Sequence, residues 1–223
     1  MAALHTVPIL SIMEVTHDVK CFRLRKPEGY RFVPGQATEV SVNKPGWTEE
    51  KRPFTFTSLN TDDYLEFTIK GYPEHQGVTH QLHQLSVGDE LLIRDVWGAI
   101  EYKGPGYFIA GGAGITPFMA ILRQLARDGQ MGDNVLLFSN KTVADIIYQD
   151  ELTRLLGSHA RFLLTRETRE GYEKGPIDQH FLEANIPDFS RHFYICGPDK
   201  MIQDISASLE KLGASADAVV FEH

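Results

Sequence analysis

The sequence predicts two unlike domains in tandem: an antiparallel Greek-key β-barrel over residues 1–102 and a doubly wound, parallel-sheet α/β domain over residues 103–223. Three observations carry that prediction. Up to about residue 102, short apolar and β-branched runs alternate with turn signals, the grammar of a closed or nearly closed barrel. After Lys103-Gly104-Pro105-Gly106, continuous apolar runs alternate with helical patterns, which implies a parallel sheet covered on both faces. At the first of those alternations stands Gly111-Gly112-Ala113-Gly114-Ile115-Thr116-Pro117, a glycine-rich link from strand to helix.

The barrel strands read in order. "VPILSIMEVT" from Val7 and "VKCFRLR" from Val19 flank a His17-Asp18 turn. "ATEVSV" follows Pro34-Gly35, "RPFTFTS" alternates by twos from Arg52, and "YLEFTIK" follows Asn60-Thr61-Asp62-Asp63. "ELLIRDV" follows Gly88-Asp89. The exception is "GVTHQLHQL", a short helical pattern with Leu82 and Leu85 on one side. In the second half each apolar run has its helix: "YFIAG" with "PFMAILRQLARDG", "NVLLFSN" with "DIIYQDELTRLLG", "RFLLTRE" with "IDQHFLEANI". "HFYICG", "DKMIQDISASLEKLG" and "AVVFEH" complete the series.

Composition narrows the function. At 223 residues and 42% hydrophobic, the chain can bury a substantial core. A formal net charge of −8 argues against nucleic acid, whose phosphates need a basic surface. "MAALHTVPILSIMEV" has no basic leader and carries His5 and Glu14, and no apolar run approaches a membrane span; a cytoplasmic protein is expected. Cys21 and Cys196 lie far apart, which excludes a disulfide framework and a four-cysteine iron–sulfur cluster. His75, His80 and His83 have no carboxylate or thiol at fitting spacing, so no metal site is expected. Ser58 and Ser139 lack a nucleophile elbow, and Asp145, Asp150 and Glu151 read as the solvated face of a helix.

Several residues carry candidate chemistry. Pro117 suits a first helical position with Thr116 as N-cap, and the glycines before it admit a close ligand, a phosphate above all. The alternative is a tight connection that binds nothing. Cys196 ends another parallel strand, with Gly197-Pro198 opening the next helix, where open α/β sheets bind ligands. It could pack beside a bound ring or simply be a buried small hydrophobe. On "RPFTFTS", Arg52, Phe54 and Phe56 alternate with Pro53, Thr55 and Thr57. Arginine can pair with a pyrophosphate, an aromatic can stack on a planar cofactor, and a hydroxyl can reach a ring nitrogen. An edge strand with an incidental arginine would look the same. Gly77 and Thr79 at the start of "GVTHQL" also suit a phosphate.

The order Arg-x-aromatic-Thr-x-x-Ser, Val-Thr-x-x-Leu before Gly-Asp, Gly-Gly-x-Gly-Ile-Thr-Pro and Cys-Gly-Pro resembles the ferredoxin–NADP⁺ reductase superfamily, and "FVPGQ" at 32–36 fits as well. The likeness covers nearly the whole chain. It implies FAD on the barrel and NADP, or NAD, on the second domain. Arg52 would bind the flavin pyrophosphate, Pro53 and Phe54 would lie against the flavin, and Thr55 would hydrogen-bond near its reactive nitrogen. Val78 through its backbone and Thr79 would complete the phosphate site. Gly112, Gly114 and Thr116 would cradle the dinucleotide, with Cys196 and Gly197 beside the nicotinamide. Glu222 resembles a glutamate that many members place near the flavin, so Thr55, Cys196 and Glu222 are the expected catalytic set. Phe54 stands where the family usually has tyrosine, Asp95-Val96-Trp97-Gly98 replaces a Gly-Pro-x-Gly, and a long aromatic cover after His223 is not expected.

The resemblance implies that NAD(P)H gives a hydride to the flavin, which then releases single electrons to a separate carrier, ferredoxin or flavodoxin. Thr165-Arg166-Glu167, with Lys174 and Asn140-Lys141, resembles the Ser-Arg-Glu of NADP-using members and favours NADPH. Arg23, Arg25, Lys26 and Arg31 suggest a local basic patch for the carrier. Two rivals stand: a reductase of free flavin or of a partner oxygenase, and a dinucleotide-sensing regulatory module without catalysis.

Overall fold

The computed structural model describes residues 3–98, 100–215 and 219–221. Its first half is six strands: β1 (His5–Thr16), β2 (Val19–Arg25), β3 (Ala37–Val42), β4 (Arg52–Thr55), β5 (Tyr64–Lys70) and β6 (Glu90–Trp97). They pair antiparallel in the order β4-β3-β6-β1-β2-β5. β4 is shorter than the alternating run that predicts it. At Phe56 the chain leaves β3 and bridges Phe67 of β5, and the Thr57 N–H donates to the Glu66 carbonyl at 2.8 Å. That change of partner brings the two outer strands of the sheet together at this point and curls it toward a closed barrel. Inside lie Phe22, Leu24, Val40, Phe56, Leu65, Phe67 and Ile93, with the Phe32 and Phe56 rings stacked 4.2 Å apart. Each such side chain contributes about 1.5–3 kcal/mol by leaving water. Helix α1 (Val78–His83) packs Val78 and Leu82 into this core.

The second half is an all-parallel sheet of β7 (Gly106–Gly111), β8 (Val135–Asn140), β9 (Ala160–Leu164), β10 (Glu173–Lys174), β11 (His192–Cys196) and β12 (Val219–Phe221). Its order is β10-β9-β8-β7-β11-β12. The two-residue β10 is too short to show as a hydrophobic run. Period-two alternation along β7 sends Phe108 and Ala110 to one face, Tyr107 and Ile109 to the other. Helices α2 (Thr116–Arg127) and α3 (Gln149–Leu156) cover the first face; α4 (Gln179–Asn185) and α5 (Asp199–Lys211) cover the second.

One predicted helix starts later than its sequence suggests. Instead of running from Asp145, α3 begins at Gln149, because Thr142 and Asp145 form a reciprocal capping box around a 3-10 turn at Val143–Asp145. Ile146 and Ile147 are then buried as a link, and Tyr148 adopts φ 55°, a left-handed conformation. Asp145 is therefore on no α-helix, and Glu151 is no solvated charge: it is ion-paired to Arg123 at 2.7 Å.

Candidate functional site

In the parallel sheet the chain runs from β7 to β8 on one side, while β11 lies on the other. That reversal leaves a crevice beyond the carboxyl ends of β7 and β11. A cleft of about 600 Å³ occupies it, lined by Gly111–Gly114, Ser139–Lys141, Thr165 and Cys196–Pro198. Cys196 is half-buried there, in register with Ala110.

The glycines of the turn do two different jobs. Gly112 sits at φ 52° with nothing within 4 Å of where a Cβ would stand, so its glycine is demanded by backbone conformation and its open side is free. Gly114 is demanded by packing. A Cβ there would lie 2.7 Å from the Gly197 Cα and closer still to the Cys196 carbonyl. Its Cα side is closed by the end of β11, so what Gly114 offers to the larger cleft, whose wall it also lines, is backbone alone.

Thr116 also differs from expectation. It is the first helical residue, with Ile115 at the cap and Pro117 second. Its hydroxyl donates to the Ala113 carbonyl at 3.0 Å, tying the turn together where an N-cap would have accepted from an N–H.

A smaller cleft of about 270 Å³ opens on the barrel side, lined by Pro53, Phe54, Thr55, Thr68, Thr79 and Thr116, among others. Phe54 is half-buried, its ring 6.3 Å from Phe67. Thr55 and Thr68 are buried in its wall. The two clefts share Lys70, Tyr72 and Ala113, so they meet at one seam. Lys70 Nζ is held by Asp18 at 2.8 Å. Burial pushes the Asp18 carboxyl up, but hydrogen bonds and charge from Lys70, with Thr16, more than offset it and hold the group below its ordinary range. Neither Lys70 nor Tyr72 was signalled by a motif; the available cue was their place at the end of a strand that otherwise reads as core.

Other expected residues lie outside the clefts. Arg52 is exposed, donates to the adjacent Lys51 carbonyl at 2.6 Å, and lines neither cleft. Val78 is 2% exposed, so only its backbone is available to a ligand. Arg166 and Lys174 are exposed and line neither cleft. They border the larger one: the Arg166 N–H donates to the Lys141 carbonyl at 2.9 Å, and Lys174 lies in register with Leu164. Glu222 lies outside the described residues. In the basic patch, Arg23 is tied to Glu66 and Lys26 to the Asn60 carbonyl. The patch sits at the Arg25–Tyr64 end of the β2–β5 pair, opposite Lys70, about 20 Å away at strand rise.

Of the neighbouring histidines, His80 bonds Gln84 and His83 bonds the Ile69 carbonyl, each through Nε2 at 2.8 Å. Ligand atoms of His17, Asp18 and Asp145 do come within 4.8 Å of one another. Asp18 there already holds the Lys70 ammonium, and Asp145 its capping box.

The residues fit a dinucleotide and a flavin. Asn140, 4% exposed on the wall of the larger cleft, has a side-chain oxygen with no partner among the described residues, an acceptor that an amino or hydroxyl group of a ligand would satisfy. Lys141, exposed on the same wall, offers positive charge to phosphates, whereas Lys70 is already paired with Asp18. The smaller cleft combines the Phe54 ring with the hydroxyls of Thr55, Thr68 and Thr79, a suitable lining for a planar polar heterocycle.

Comparison with known proteins agrees with this division. Residues 6–102 match the oxidoreductase FAD-binding domain family, and residues 108–207 match the oxidoreductase NAD-binding domain family. The chain is 29% identical over 231 residues to the reductase component of propane 2-monooxygenase from Rhodococcus jostii, covering 96% of this chain and 62% of that protein. It thus spans less than two thirds of the length of that relative. In fold it is similar to the flavohaem-like FAD/NAD-binding domain of nitric oxide dioxygenase from Vibrio cholerae, with TM-score 0.86, 21% identity and 97% of both chains covered. It is equally similar to a ferredoxin NADP⁺ reductase from Neisseria gonorrhoeae with bound FAD and NADP, with TM-score 0.85, 22% identity, and 100% and 99% of the two chains covered.

Proposed function

The chain belongs to the ferredoxin–NADP⁺ reductase-like flavoprotein superfamily, and from that premise we propose that it takes a hydride from NAD(P)H onto FAD and passes electrons to a separate protein partner. The observation that carries the proposal is the seam: two clefts of different lining share Lys70, Tyr72 and Ala113. A flavin supplies the chemistry when bound, accepting two electrons together and releasing them singly. The protein's own part is positioning.

In this reading Phe54 offers its ring to the flavin face and Thr55 its hydroxyl to the ring edge. Thr79, with the backbone of Val78, borders the flavin's phosphate end. Arg52, exposed and free of any ion pair among the described residues, swings onto the pyrophosphate. On the other side Gly112 leaves room for the dinucleotide, Asn140 and Lys141 bind it, and Cys196 with Gly197 flanks the nicotinamide. Glu222 keeps its proposed place near the flavin by motif alone. NADPH is favoured over NADH. Thr165 and Lys141 line the larger cleft; its carboxylate, Asp145, is engaged by the Thr142 N–H and hydroxyl at 2.8 and 2.6 Å, and Glu167 is turned to the Val143 N–H at 2.9 Å.

For the partner, a ferredoxin or flavodoxin fits the single-electron step. The relative in a monooxygenase system favours a second reading, in which the acceptor is a component of an oxygenase. The test is an anaerobic NADPH titration of the FAD-loaded protein. Bleaching of the yellow absorbance at one equivalent is expected, followed by reoxidation on adding ferredoxin, flavodoxin or an oxygenase component. Dinucleotide binding by a colourless chain without turnover would leave the regulatory reading standing, and flavin turned over but never retained would favour a free-flavin reductase.

A further inference from the structure

We propose that Arg123 and Tyr148 are positioning residues, forming with the buried Glu66 and with Glu151 a half-buried clamp that fixes the two clefts relative to each other. The proposal rests on the functional reading above for its consequence, but its structural half stands alone.

Arg123 projects from α2 across the domain boundary. One of its terminal nitrogens donates to the Thr57 carbonyl at 2.6 Å and to Glu66 Oε1 at 2.7 Å, both in the barrel. Its Nε and other terminal nitrogen form a fork on Glu151 of α3 at 2.7 and 2.9 Å. Glu66 is 2% exposed and also accepts from Arg23 and the Thr57 hydroxyl, each at 3.0 Å. Beneath the guanidinium, 5.2 Å from its centre, lies the Tyr148 ring. The Tyr148 hydroxyl is 2.8 Å from that of Thr68, which is 3.2 Å from that of Thr57. Tyr148 holds the left-handed φ of 55°, a conformation disfavoured for any residue with a Cβ and kept here because its ring and hydroxyl are both fixed.

The clamp touches both working walls. Thr68 lines the smaller cleft, and Ile147, next to Tyr148, lines the larger. A buried ion pair is a poor source of stability, because desolvation offsets its attraction. Its planar fork is, however, strict about angle and distance. In a reaction whose catalysis is alignment, a misplacement of about 1 Å costs on the order of a hundredfold. Neither residue reaches a cleft itself, so both act through their neighbours.

The test uses the full chain loaded with FAD and two variants. Tyr148→Phe keeps the ring and deletes the hydroxyl, with its bond to Thr68 and its contact with the Cys21 thiol, and Arg123→Lys keeps the charge beside Glu66 but cannot span three acceptors. The expected result is flavin content and NADPH dissociation constant within twofold of wild type, with anaerobic bleaching ten- to a hundredfold slower and the long-wavelength nicotinamide–flavin absorbance weakened. Independently of activity, calorimetry should show one cooperative transition in the wild type and separated transitions in Arg123→Lys. Unaltered bleaching in both variants would overturn the positioning role. A single transition retained in Arg123→Lys would overturn the clamp. A wild-type chain that binds neither FAD nor dinucleotide would sink the functional reading and the positioning role with it, while calorimetry would still decide whether the clamp couples the domains.

Discussion

Replacing Gly114 by alanine tests the geometry of the crevice at its tightest point. The added methyl would lie 2.7 Å from the Gly197 Cα, against the backbone that ends β11. Overpacking usually costs about 1–3 kcal/mol, and backbone cannot rotate away as a side chain can, so the upper end, about 3 kcal/mol, applies. For a chain of this size each kcal/mol moves the melting temperature by about 2–4 °C, which gives a fall of about 6–12 °C. Gly112→Ala is the control. It places its methyl in open space and pays only for the left-handed φ of 52°, about 1 kcal/mol, or about 2–4 °C. Thermal unfolding of both purified variants, with and without NADP⁺, reads the difference. A Gly114→Ala protein melting within 2 °C of wild type would refute the abutment of β7 and β11 on which the crevice is built.

Acid stability follows from Glu66. Burial would raise its carboxyl, but the charge of Arg123 and hydrogen bonds from Arg123, Arg23 and Thr57 overcome this and hold it below its ordinary 4.5. Its contribution is therefore complete above about pH 4.5 and is lost as pH falls through the lowered value. Urea midpoints against pH should fall steeply in that range for the wild type and less for Glu66→Gln; equal slopes would contradict the assignment. Arg123→Leu leaves that carboxylate buried without its main partner and should cost about 3–5 kcal/mol by denaturant titration, whereas a loss under 1 kcal/mol would show that Glu66 is satisfied elsewhere. Arg166→Ala should raise the Michaelis constant for NADPH far more than for NADH, and an equal effect on both would remove the case for the 2′-phosphate. Cys196→Ala should slow flavin bleaching with flavin content unchanged; an unaltered rate would make the thiol a packing residue.

Strand bounds were the most legible feature, because they rest on local alternation and turn residues: "VKCFRLR", "ATEVSV" and "YLEFTIK" coincide with β2, β3 and β5. The start of α3 was not, since Ile146 and Ile147 satisfy a helical period and a buried link equally well. The motifs brought Phe54, Thr55, Thr79, Gly112 and Cys196 to cleft walls, while the exposed Arg52, Arg166 and Lys174 line neither cleft. The seam was hidden, because Lys70 and Tyr72 acquire their role only when the second domain arrives against β5. The clamp was hidden for the same reason. Glu66 occupies what reads as a polar position on a half-exposed strand, and its partner Arg123 lies 57 residues later on a helix. Period reports which face a residue takes, not what will cover that face.

The central claim is that the two clefts let two flat rings touch. Anaerobic bleaching by NADPH carrying deuterium at one or the other position of nicotinamide C4 tests it most directly. The account predicts a primary isotope effect from one labelled position and none from the other, as direct transfer across a fixed face requires. Identical rates with both labelled forms and with unlabelled NADPH, under conditions where flavin reduction itself is observed, would contradict it.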